Sequence, residues 1–155
     1  MENDWTILLP TRPQPDTIVA IFLLKIFGAP RFPGIEHMRI EVNPTAPTES
    51  FEVLVAKRIL PIDVGGGPLD HHGTDRCASE LVANLLQIST DPALAKMLAY
   101  AKRDDAFGKG TISNDPLDRA FGLSGMIASL NKQYPGEAQK IVELVLPLLR
   151  AHYDA

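Results

Sequence analysis

The stretch WTILLPTRPQPDTIVAIFLLKIFG, Trp5 to Gly28, decides the fold. Trp5 to Leu9 is a short apolar run that stops at Pro10 and reads as a buried strand. TRPQPD is a proline-punctuated loop. From Asp16 the apolar residues fall at Ile18, Val19, Phe22, Leu23, Ile26 and Phe27. That is helical spacing, and Gly28 ends it. Asp16 thus sits at the entrance of a helix, just after a strand.

Working outward, HMRIEV (His37 to Val42) alternates apolar with polar as a second strand does. NPTAPTES hands over to a short helical segment around Phe51 to Ala56. RILPIDV (Arg58 to Val64) is a third strand with Asp63 near its end, and its proline predicts an irregular or edge position. Further helices are predicted from Asp75 to Leu86, from Asp91 to about Arg103 and from Leu117 to Asn131. DDAFGKGTISNDP is a predicted loop. The last helix, Pro135 to Tyr153, places Ile141, Leu144, Val145, Leu148 and Leu149 on one side. The order predicts one α/β domain over residues 1–155, with a small, mostly parallel sheet flanked by helices and a helical C-terminal half.

Composition narrows the function. The 155 residues are 45% hydrophobic and 22% charged, which suits a soluble globular domain with a real core. A net charge of −4 offers no broad basic surface for duplex nucleic acid. A nucleotide or short single strand stays open if positive charge is concentrated locally. The single cysteine, Cys77, excludes a disulfide within the chain, and no apolar run is long enough for a bilayer. The N-terminus carries acidic residues where a signal peptide carries basic ones, so the expected location is the cytoplasm.

The chemistry is concentrated in IDVGGGPLDHHGTDRC, Ile62 to Cys77. In open α/β sheets ligands bind beyond the carboxyl ends of the strands. Asp16 follows the first strand, Asp63 ends the third, and Asp70, His71 and His72 follow in one glycine-rich loop. Glycines let a chain turn sharply around a metal. Mixed carboxylates and imidazoles suit manganese, magnesium, iron or zinc. A pair of such ions can clamp a phosphoryl group and activate water at neutral pH.

DVGGGPLDHHG, with a strand running into Asp63, resembles the DHH phosphoesterase superfamily, and most closely the branch of the melanocyte-proliferating-gene exonucleases. PDTIVAIFLLK is similar to the first motif of that branch and supplies Asp16. AKRDDAFGKG is similar to its fourth, with Asp104 or Asp105 as the carboxylate, and NDPLDRAFGLSGMIASLN continues the likeness. The resemblance implies a divalent-metal-dependent hydrolase, with manganese the expected ion, acting on a phosphoester or phosphoanhydride of a nucleotide or short oligonucleotide. It implies Asp16, Asp63, Asp70, His71 and Asp104 or Asp105 as metal ligands. Asp63 would bridge two ions, and His72 would orient a ligand or meet the phosphate.

The first motif departs from that pattern. Leu9 and Gln14 stand where the branch carries histidines, so one metal site loses an imidazole. The alternative expectation is a degenerate relative that binds a partner without catalysis. The branch also uses a second domain to close its cleft, for which a homodimer partner would substitute here.

Other residues have blander readings beside the functional ones. Asp16 also suits a helix cap, and Asp104 and Asp105 also suit a solvated loop. Arg12 and Lys109 are candidate phosphate contacts, although loop cations are commonly surface residues. His37 and His152 read as surface or packing residues. Cys77 reads as a small buried hydrophobe.

Overall fold

The computed structural model describes residues 4–63, 68–70 and 76–155. Three strands form one parallel sheet in the order β2-β1-β3: β1 is Thr6–Leu9, β2 is Arg39–Val42 and β3 is Ile59–Pro61. The class is the expected α/β, and every strand pair is parallel. The central strand is buried along its whole length, which is why it reads as an unbroken apolar run rather than an alternation.

Both outer strands are shorter than their sequence patterns. His37 ends a short 3-10 turn, Ile35–His37, instead of starting β2. Arg58 has φ 60 and cannot belong to β3. Pro61 is tolerated because β3 is an edge. Ile62 donates to the Leu8 carbonyl (2.9 Å), so the N–H that Pro61 lacks would face away from the sheet. The other edge is partly covered. The outward N–H of Ile40 donates to Gln139 Oε1 of the last helix at 2.7 Å.

Helix α1, Pro15–Phe27, is buried from Pro15 to Leu24. A helix apolar on all sides must be packed on all sides. Here α3 (Ala78–Leu85), α4 (Ala95–Phe107), α6 (Leu123–Gln133) and α7 (Ala138–Asp154) surround it. Gly28 ends it for a steric reason. A Cβ there would collide with the Leu24 carbonyl oxygen. The short helix α2, Phe51–Ala56, packs on β3 and is capped by Ser50, whose hydroxyl accepts from the Val53 N–H.

Helix α4 runs further than its pattern, so Asp104 and Asp105 stand on its last turn and not in a loop. The expected helix over 117–131 is two helices, α5 (Pro116–Phe121) and α6, broken at Gly122. A Cβ on Gly122 would meet Thr111 Oγ1, and one on Gly125 would meet the Arg119 carbonyl. The two glycines permit this tight corner.

In α7 the core face is Ile141, Val142, Val145 and Leu149, whereas Leu144 and Leu148 are exposed. Replacing Leu149 by alanine should therefore cost about 2–5 kcal/mol. Leu148→Ala should change stability by no more than about 0.5 kcal/mol. Urea unfolding of the two variants distinguishes this face from the one drawn through 144 and 148.

Candidate functional site

The two ends of the sheet differ in chemistry. At the amino end, Trp5 packs edge-on to Phe32 and donates its indole N–H to the Pro33 carbonyl at 2.9 Å. Arg58 stacks over Trp5 and donates to the same carbonyl. That end is closed. The carboxyl end carries the loop from Pro10 to Gln14, the entrance of α1, and Asp63. β1 and β3 are direct neighbours there, with Leu8 opposite Pro61. The chain crosses from β2 on one side of β1 to β3 on the other, so the strand order reverses at this point, where open sheets place their ligands.

Asp63 has φ 63, a left-handed conformation uncommon for a residue with a side chain. Its N–H donates to the Leu69 carbonyl at 2.7 Å. Leu69 is fully buried in the core. This bond ties Asp63, just beyond β3, to the residue before Asp70. Asp63 and Asp70 are both half-buried. His71 and His72 lie outside the described residues.

Asp16 is 3% exposed and its role is clear from its partners. Oδ2 accepts from the Ala78 N–H at 2.8 Å and Oδ1 from the Ser79 N–H at 2.9 Å. It stands in the first turn of α1 and at the same time caps α3, so two helix N-termini share one carboxylate. Thr17 and Gln14 close the entrance of α1 itself, the Gln14 N–H donating to Thr17 Oγ1 and that hydroxyl to the Gln14 carbonyl. Cys77 precedes α3 and is 2% exposed. Burial first, and the Asp16 charge second, push its thiol up to about 12.

Asp104 is the residue whose environment the sequence hid. It is 8% exposed, and its Oδ1 meets no hydrogen-bond donor among the described residues. A buried carboxylate oxygen without a donor is costly unless something cationic answers it. Asp104 lines a cavity of about 270 Å3 together with Asp105, Arg12, Gln14 and Asn131. Asn131 is fixed there, donating to the carbonyls of Pro13 and Ile127. The cavity thus joins the loop after β1 to the last turn of α4. Lys109 lines an adjoining cavity, its Nζ donating to Asn114 Oδ1 at 3.2 Å.

The structure therefore brings Arg12, Asp104 and Asp105 to one cavity and sets Lys109 next to it, while Asp63 is tied by its amide to Leu69, the residue before Asp70. Among the described residues no three His, Cys, Asp or Glu side chains form a group that could hold one metal ion. His37 and His152 are exposed. Among the described residues no helix is long and apolar enough to cross a membrane. No family model, no curated protein and no solved structure matches this chain.

Two expectations follow. Asp16→Ala strips a charged acceptor from two buried amides and should cost about 2–4 kcal/mol, read by urea unfolding in chelator-treated protein. Cys77 should resist thiol reagents in the folded state at pH 8 and react once the chain is unfolded. Its raised pKa keeps the neutral thiol below the unfolded value. Any stability it contributes persists below that value and is lost as pH rises through about 12.

Proposed function

We propose that this protein is a divalent-metal-dependent phosphoesterase of the DHH type, hydrolysing a phosphoester or phosphoanhydride of a nucleotide or short oligonucleotide in a reducing, cytoplasmic setting. The observation that carries the reading is the buried Asp104, whose donorless oxygen lines a cavity beside Arg12 at the carboxyl end of β1. An orphaned carboxylate at a strand-order reversal fits a cation better than any purely structural role. The chemistry of the donor set agrees, since oxygen ligands suit manganese or magnesium.

In this reading Asp63, Asp70 and Asp104 would hold the ions between them, and His71 would complete the set, as the resemblance of DVGGGPLDHHG implies. Bound manganese would supply Lewis acidity and activate water. The chain's own residues do the rest. The bond from Asp63 to Leu69 fixes the backbone at both ends of the segment that carries the two carboxylates. Arg12 offers a forked donor to the phosphate. Asn131 fixes the loop that carries Arg12 by holding the Pro13 carbonyl at 2.8 Å.

One observation favours the second reading, a degenerate relative that binds without catalysis. Both oxygens of Asp16 already accept backbone amides, so the first-motif aspartate serves the fold. Together with Leu9 and Gln14 in place of histidines, this argues for fewer ligands than the family pattern.

Hydrolysis should require manganese, vanish with chelator and return on adding the metal back. Asp63→Asn and Asp104→Asn should each lower it by on the order of 100-fold or more. Asp104→Asn should leave urea stability unchanged or raised, because it removes an unanswered buried charge. Absence of turnover on phosphodiesters and nucleotides, with metal-free purified protein, would select the binding module.

A further inference from the structure

Next to the carboxylate-bearing cavity lies a larger one of about 430 Å3. The two share Gly108, Ser124 and Ala128, so they adjoin. Their charges are opposite in kind. The smaller carries Asp104 and Asp105 beside Arg12. The larger is lined by Lys109 and Arg119, with Thr111, Asn114 and Ser124, and by no acidic residue.

Three further features point to an anion there. The Arg119 side chain makes no hydrogen bond or ion pair with any described residue, so its guanidinium is available. Lys109 is half-buried and steadied by Asn114, which limits the entropy it would lose on binding. The eleven-residue helix α6 begins at Gly122 with no side-chain cap, and its Ser124 and Gly125 line the cavity. The Ser124 N–H is already taken by the Tyr100 hydroxyl at 3.0 Å, so this helix end adds positive potential to that of the two cations through its dipole alone. The close approach of Gly125 to the Arg119 carbonyl, which any Cβ would block, is what holds α5 against this helix end.

We propose that this basic cavity is a second-phosphate subsite, which makes the preferred substrate a short oligonucleotide ending in a phosphate monoester. One phosphate lies at the carboxylates and the terminal one at Lys109 and Arg119. The volume far exceeds the need of a phosphate alone and falls in the range of small-ligand sites, leaving space for a nucleoside unit. The hydrolytic step at the first phosphate rests on the function proposed above. Binding in the second cavity does not.

The experiment is calorimetric titration of the full chain in chelator, so that no hydrolysis occurs, with one dinucleotide in three forms: 5′-phosphorylated, 3′-phosphorylated and bearing hydroxyls at both ends. At least one phosphorylated form should bind about tenfold or more tightly than the hydroxyl form, the size expected for a charge-assisted contact. The exposed Arg119→Ala and the Lys109→Ala changes should together abolish that preference, and Arg119→Lys should keep part of it. Asp104→Asn should leave it intact. Equal affinity for all three forms, no binding of any, or a preference that survives the double variant with a native circular dichroism melt overturns the subsite. A preference without manganese-dependent hydrolysis upholds the subsite and removes the hydrolase reading alone.

Discussion

The carboxylate of Asp16 joins parts of the molecule that are 62 residues apart in sequence. It occupies the first turn of the buried central helix and accepts the first two amides of α3. Unanswered, two buried amides at a helix start would each cost about 1–3 kcal/mol. With one anion answering both, α3 is fixed at the same end of the sheet where β1 and β3 terminate. The burial of Cys77 and its suppressed acidity follow from this docking.

That constraint explains how the sheet divides its labour. The amino end is sealed by Trp5, Phe32 and Arg58, with the indole and guanidinium sharing one carbonyl. The carboxyl end gathers the polar residues that the core does not use. Asp63 sits in a left-handed conformation with its amide on Leu69, and Asp104 is buried with no donor to one oxygen among the described residues. Backbone strain and an unanswered carboxylate are both unfavourable in isolation. Their occurrence toward the strand-order reversal is the physical ground on which the proposed function rests.

The charge arrangement extends the same logic. Asp104 and Asp105 line one cavity together with Arg12, and Lys109 and Arg119 line its neighbour, with Gly108, Ser124 and Ala128 common to both. A cation and an extended anion can occupy such a pair together, each lowering the cost of the other. The corner between α5 and α6, made possible by Gly122 and Gly125, brings residues of both helices to the second cavity.

By itself the sequence determined the strand and helix order at the N-terminus, because an apolar run, a proline-rich loop and a period near 3.6 are local signals. The edge position of β3 was readable from Pro61 for the same reason, as was the burial of Cys77. It also marked Asp16, Asp63, Asp70, Arg12, Asp104, Asp105 and Lys109 as residues of interest. Only the tertiary structure assigned them different duties. Asp16 serves as the cap of a distant helix, since its partners at 78 and 79 are invisible to any local pattern. Asp104 moved from an expected loop to a buried helical turn, and Leu144 and Leu148 turned outward from α7. Burial and partner choice depend on which surfaces meet, and that is decided by packing between elements, beyond the periodicity within one.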